Sequence, residues 1–205
     1  MLHKLHRLSA CVLASFILVH LLNHLFAIQG VDAHIGFMES FRSIYRQTLV
    51  EALLLGCVLF QVGSGLVFLR RRWGQRSGFF DRLQALSGAY LAFFFLNHVG
   101  AVLFGRLVLG LDTNVYYAAA GMHVNPFQYF FVPYYFLAVV AVFGHVACAL
   151  HWLLREKLAL PNRNLLGYGM LLAGAVAGLL IVLALAGQLY PLTIPAEYLE
   201  TYQIF

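Results

Sequence analysis

Histidines and small polar residues recur at matching distances along this chain. Ser9 precedes His20 by eleven residues, and Ser87 precedes His98 by eleven residues. A neutral imidazole can give one ring nitrogen to a metal ion while the other nitrogen donates a hydrogen bond that fixes the ring. The residue types and their spacing therefore suggest metal ligation by two facing imidazoles.

A second pair of segments repeats the pattern with one exchange. FQVGSGLVFL aligns with GHVACALHWL, so that Gln61 falls where the later segment has His145. Together with the first match, this alignment predicts two copies of a helical pair, formed by the first and second helices and by the third and fourth.

The amino-acid composition indicates the environment in which these residues lie. The chain has 205 residues, of which 62% are hydrophobic and 10% are charged. A chain this apolar is solvated by lipid. The net charge is +5, but the cations cluster at the ends of apolar segments, as membrane topology requires, so we expect no binding to nucleic acid.

The hydrophobic segments predict the fold class. Five of them are long enough to cross a bilayer, which predicts an all-α, integral membrane bundle of five transmembrane helices forming one domain over residues 1–205. The predicted spans are about 8–28, 48–69, 83–105, 128–153 and 165–187. Two long loops, 29–47 and 106–127, lie between spans on one side, and we expect the second to contain a short amphipathic helix.

Charge distribution predicts the orientation. Ten of the thirteen Lys and Arg residues fall on the side of the amino terminus, and three fall on the other side. The positive-inside rule then predicts that the amino terminus lies in the cytoplasm and the carboxyl terminus outside. We expect the protein in the inner (cytoplasmic) membrane. With this orientation, His20 and His98 lie in the outer half of the membrane, and Gln61 and His145 lie in the inner half.

The two facing histidines at the outer level suit haem. Polar side chains inside a bilayer are costly and usually functional, and two imidazoles can fill both axial positions of a b-type haem. The alternative is that His20 and His98 only form hydrogen bonds between helices.

Other polar residues have two interpretations each. Glu51 either complements the dipole of its helix or accepts a proton from a quinol. Arg7 and Ser9 either serve topology and capping or bind a haem propionate or a quinone carbonyl. His24 lies one turn beyond His20, where a propionate, a loop or water would contact it. His151 is expected at the membrane interface, and the remaining histidines are expected in solvent: His3, His6, His34 and His123.

Four motifs point to a family. HRLSA ahead of His20, LFQVGSGL, the LNHVG of His98 and VFGHVACALHW occur in this order on five predicted helices. The pattern resembles the cytochrome b membrane-anchor subunit of succinate:menaquinone oxidoreductases and fumarate reductases, of the single-chain, five-helix type. In that family, four histidines on the first four helices ligate two haems. His20, His98 and His145 match three of these positions, and Gln61 occupies the fourth.

The resemblance implies partners and a function. The partners would be a flavoprotein and an iron–sulfur protein docked on the cytoplasmic face, with a menaquinone-type quinone as substrate. We therefore expect an anchor that passes electrons between these partners and the quinone pool. One alternative is a stand-alone cytochrome b that exchanges electrons between quinone and a periplasmic redox partner. Another is a haem-free anchor or transport protein.

Gln61 stands where the resemblance implies a fourth histidine ligand. We therefore expect one haem per chain, at the outer level, and leave a second haem open. A Gln amide is a poor ligand for haem iron compared with imidazole. The vacated inner space, lined by His145, Gln61 and Ser64 together with Ser9 and Arg7, could instead accept a quinone headgroup.

Overall fold

The computed structural model describes residues 1–202, and these residues contain helices and connecting turns but no β-strand. The α-helices, in chain order, are α1 (Leu2–Phe26), α2 (Val31–Tyr45), α3 (Thr48–Arg72), α4 (Phe79–Leu107), α5 (Val115–Ala120), α6 (Gln128–Leu153), α7 (Leu160–Leu185) and α8 (Ala196–Leu199).

Five of these helices, α1, α3, α4, α6 and α7, are long and apolar enough to cross a membrane. They confirm the five predicted spans. The fourth predicted span matches α6 at both ends, whereas α1 and α4 begin several residues before their predicted spans. The reason is that a hydropathy pattern detects the apolar part of a helix, while the hydrogen-bonded backbone continues into the polar residues on either side.

The five long helices pack in a ring. α1 lies against α3, α3 against α4, α4 against α6 and α6 against α7, and α7 also touches α1. α7 approaches α6 closely at Gly174, which faces Phe143 of α6, and Gly167 of α7 faces Phe80 of α4. A Cβ atom at Gly167 would overlap Phe80, and one at Gly174 would overlap Phe143. Small residues at such contacts allow helices in a membrane to pack tightly.

The segment predicted as a loop over 29–47 is mostly helical, so that prediction is wrong. α2 follows Gly30, whose φ of 112° is readily adopted only by glycine. One face of α2 is covered by the rest of the protein, with His34 2% and Met38 5% exposed. The polar side of α2 is tied to the loop after α4, since Arg42 donates to Asp112 at 2.7 Å.

A hydrophobic cluster closes the end of α6 and α7 that the charge distribution predicts to be outside. After this prediction, we call the segments that follow α4 and α7, residues 108–127 and 186–202, the outer cap. The short helix expected in the first of these segments is α5, and its Val115 and Ala119 are fully buried. Ile194 and Tyr198, from the second segment, pack in the same cluster. The cap therefore covers one end of the bundle with apolar side chains.

Candidate functional site

His20 on α1 and His98 on α4 face each other across the bundle. The centroids of their rings are 5.9 Å apart, and the ring planes are inclined by 60°. α1 and α4 are not close neighbours along their backbones, so the two side chains meet across a gap between helices. The sequence placed these histidines at one level, and their side chains come together there.

Neither of these rings has a hydrogen-bond partner within residues 1–202. Six of the other seven histidines each have one. An imidazole inside a membrane needs partners for its nitrogens. A pair of facing, unpartnered imidazoles is therefore suited to hold a metal centre between them.

Two phenylalanines that the sequence analysis missed support this pair. Phe16 stacks on His20 with its plane inclined by 16°, and Phe94 stacks on His98 with an inclination of 12°. Each Phe lies four residues before its His, one helical turn away on the same face. This repeated spacing was visible in the sequence and could have identified them.

The distance between the rings is suited to ligation from both sides. An imidazole nitrogen lies about 2 Å from a bound metal ion, so two imidazoles on opposite sides of one ion have ring centres roughly 6 Å apart. The 5.9 Å between His20 and His98 matches this spacing. Residues 1–202 contain no group of three or more His, Cys, Asp or Glu side chains that could hold a metal ion. A centre bound here would need to bring its other ligands with it.

His24 and His34 form a second group beside this pair. His34 Nε2 lies 3.3 Å from His24 Nδ1 and 3.2 Å from Asn23 Nδ2. The prediction that His34 is solvated is wrong, because α2 buries it against α1. Burial, and to a lesser extent the nearby His20, lowers the pKa of His34 from 6.5 to about 4. His34 is therefore neutral at physiological pH.

At the level predicted to be inner, the side-chain amide of Gln61 makes two hydrogen bonds. Its Nε2 donates to the carbonyl oxygen of His6 at 2.5 Å and to Ser9 Oγ at 2.7 Å. His145 has the corresponding neighbour on α4, since its Nδ1 lies 3.1 Å from Ser87 Oγ. The two residues that the sequence aligned thus each contact the serine of the preceding span.

His6 is part of this inner group, so the prediction that it is solvated is wrong. It lies in α1, it is partly buried, and its Nδ1 is 2.7 Å from Ser64 Oγ. Arg7, the next residue, is exposed and makes no hydrogen bond or ion pair within the described part of the chain. The polar lining expected for a quinone headgroup is therefore largely paired with itself.

Glu51 lies in the first turn of α3, where it complements the helix dipole. Its carboxylate also accepts a hydrogen bond from Arg106 at the end of α4. The two side chains are 28% and 23% exposed. The structure thus gives Glu51 a role in joining two helices, in addition to the two interpretations that the sequence left open.

Two further histidines have structural partners. His151, expected at the membrane interface, lies near the end of α6. It is 6% exposed, stacks on Phe80 and lies with Nε2 3.0 Å from Asn164 Oδ1. His123 is exposed, as expected, and its Nε2 is 2.8 Å from the carbonyl oxygen of Leu185 at the end of α7. Neither residue contacts the groups around His20 or His145.

Comparisons with protein-family models, with curated proteins and with solved structures find no match to this chain.

Proposed function

We propose that this chain is a haem b-containing membrane anchor. It would transfer electrons between a docked flavoprotein and iron–sulfur partner and the quinone pool, in a complex like succinate dehydrogenase or fumarate reductase. The observation that carries the proposal is the pair formed by His20 and His98, two unpartnered imidazoles 5.9 Å apart in the bundle.

The residues present fit a haem at the outer level. His20 and His98 would supply both axial ligands, and the porphyrin would bring the four remaining nitrogens. The alternative, that these histidines serve only to join helices, requires a hydrogen bond between helices. Neither ring makes one within residues 1–202. A bound haem supplies one-electron transfer, while the stacked Phe16 and Phe94 would hold the imidazoles and exclude water.

The proposal includes an internal repeat of two helical pairs, α1 with α3 and α4 with α6. Two sets of contacts support it. Ser9 pairs with Gln61, and Ser87 pairs with His145. In addition, the outer histidine of each pair has a phenylalanine stacked on it from the preceding turn. Equivalent contacts in both halves are expected when two helical pairs share one ancestral pattern.

The charge distribution supports docking of the soluble partner at the inner ends of the helices. α3 ends in Arg70, Arg71 and Arg72, and these side chains are largely exposed. Such cations fulfil the positive-inside rule, and they also offer a surface to an acidic partner. We place the menaquinone-type quinone in contact with the haem-bearing bundle, because electrons must pass between the two.

The experiment is a reduced-minus-oxidised visible spectrum of the purified protein. We expect low-spin b-type haem in the unaltered chain, and loss of the outer haem in His20→Ala and in His98→Ala, because each substitution removes an axial ligand. His123→Ala is the matched control, since it removes an exposed outer histidine and should retain all haem. Full haem content in both of the first two variants would contradict the proposal.

A second measurement separates the anchor from a stand-alone cytochrome. Purification from the native membrane in a mild detergent should bring flavin fluorescence with the chain. A haem-containing chain that never carries flavin, even after cross-linking in membranes, would favour the stand-alone cytochrome.

A further inference from the structure

Three polar side chains meet between α1 and α2. His34 Nε2, on α2, lies 3.3 Å from His24 Nδ1 and 3.2 Å from Asn23 Nδ2, and both of these partners are on α1. His34 is 2% exposed and Asn23 is 7% exposed. Two ring nitrogens and one amide group therefore converge on a single buried point.

Hydrogen bonds within this group do not satisfy its polar atoms. Asn23 Oδ1 and His34 Nδ1 are buried without a hydrogen-bond partner in residues 1–202. Turning the amide about its last bond exchanges its two ends, so that Oδ1 then faces His34 Nε2. The amide oxygen and the two ring nitrogens then bring three lone pairs to one place. Lone pairs at such distances repel one another unless a cation lies between them.

The separations match those between the ligands of a tetrahedral ion. Zinc binds imidazole nitrogen at about 2.0–2.1 Å with tetrahedral angles, so two of its ligand atoms lie roughly 3.3–3.4 Å apart. The two ring nitrogens are 3.3 Å apart, and the amide is 3.2 Å from His34 Nε2. One ion could therefore bind all three groups with little movement of the side chains.

Both rings have the protonation that ligation requires. Burial lowers the pKa of His34, so the ring is neutral at physiological pH and keeps a lone pair. Ligation through His34 Nε2 requires the ring proton on Nδ1, and ligation through His24 Nδ1 requires it on Nε2. Neither of these two protonated nitrogens has a hydrogen-bond partner within the described residues that would favour the other tautomer.

The group leaves one position of a tetrahedral ion open. No third His, Cys, Asp or Glu completes it within residues 1–202. A cavity between α1 and α2 borders Asn23 and extends to His20 and Met38. Water can therefore supply the fourth ligand, and three protein ligands with one open position are a common arrangement for zinc.

We propose that His24 and His34, together with the amide oxygen of Asn23, bind a divalent transition-metal ion of the zinc type. Imidazole suits such ions, whereas Mg²⁺ and Ca²⁺ prefer sets of oxygen ligands. The ion fastens α2 to the last turn of α1. The site uses neither His20 nor His98 as a ligand, and it does not rest on the proposed function.

The test is equilibrium dialysis of the purified, tag-free protein against zinc chloride at pH 7.5, followed by elemental analysis. We expect about one zinc per chain, and loss of this zinc in His24→Ala and in His34→Ala. His123→Ala is the matched control, because this exposed histidine lies outside the group, and it should retain the ion. His98→Ala should retain it as well. Loss of zinc from His98→Ala would show that the ion lies between His20 and His98 and would overturn the inference.

Asn23→Asp gives a result that a damaged fold would not produce. A carboxylate in place of the amide adds a negative charge beside the ion, so we expect zinc to bind roughly tenfold more tightly. Equal or weaker binding in this variant would contradict the role of Asn23 as a ligand.

Hydrogen–deuterium exchange measures whether the ion fastens α2. If the site exists only while α2 is docked, free zinc at about 100 times its Kd should increase protection over residues 31–45 roughly 100-fold relative to protein in a chelator. His34→Ala should show no such increase. Absence of zinc from the unaltered chain, or bound zinc that leaves this protection unchanged, would overturn the inference. Haem content is measured separately, so either result leaves the proposed function standing.

Discussion

At the scale of single residues, the histidines differ in how their ring nitrogens are used. His34 and His151 are buried within networks that join helices. His6 and His145 each have one ring nitrogen within hydrogen-bond distance of a buried serine. A count of histidines in apolar segments cannot separate these cases, because the distinction depends on partners from other helices.

The stacked phenylalanines provide a prediction at this scale. Replacing Phe94 by Leu removes the ring that packs flat against His98, a contact worth about 1 kcal/mol. We expect the outer haem to be retained but to dissociate roughly fivefold faster during detergent washing. The measurement is the decay of the low-spin absorbance with time.

The control for this variant is Phe104→Leu on the same helix, since Phe104 is 52% exposed and contacts neither outer histidine. Equal rates of haem loss in the two variants would show that the stacking does not hold the ligand in place.

At the scale of elements, hydropathy predicts the long helices and misses α2. Five spans follow from hydropathy because lipid demands long apolar helices. α2 is short and carries charges such as Asp32 and Glu39, so no span-length window detects it. Its apolar positions, Val31, Ile35 and Met38, do recur at helical spacing. That pattern could have predicted the helix, and with it the burial of His34.

Burial of His34 makes the docking of α2 dependent on pH. The pKa of His34 is about 4 in the folded chain and about 6.5 when the side chain is in water. Docking requires the neutral form, so its stability is complete above pH 6.5 and decreases as pH falls from 6.5 towards 4. The full difference is about 3 kcal/mol.

Hydrogen–deuterium exchange over residues 31–45 would measure this effect. After correction for the intrinsic pH dependence of exchange, we expect weaker protection at pH 5 than at pH 7.5. His34→Gln keeps a polar side chain that does not titrate in this range, and its protection should change little with pH. If His34→Gln shows the same loss of protection, another group is responsible.

At the scale of the whole molecule, five spans predict opposite sides for the two termini, and the charge distribution predicts which side is inside. We expect a reporter joined to the carboxyl terminus to behave as external. A reporter inserted between α6 and α7, at residues 154–159, is the internal control, because this connection carries Arg155 and Lys157 on the cation-rich side. A cytoplasmic signal from the carboxyl-terminal fusion would reverse the levels predicted for His20 and His98 and for Gln61 and His145.

The meeting of His20 and His98 was also predictable at this scale, and the polar group around Gln61 was not. Equal spacing in two halves brought His20 opposite His98, because helices of similar length start on the same side of the membrane. The polar group around Gln61 could not be predicted in this way. Its members, His6, Ser9 and Ser64, are joined by side-chain contacts between α1 and α3 that do not follow from the position of any one residue.

The outer cap has a consequence for biosynthesis. Ile194 and Tyr198, which complete the cluster around α5, follow all five spans in the chain. A ribosome therefore makes them after every histidine of the five spans. Until then, the outer ends of α6 and α7 have no cover from residues 186–202. The haem of the proposed function would therefore have a time window for insertion, between translation of α6 and closure of the cap, and pulse labelling of nascent chains could measure its length.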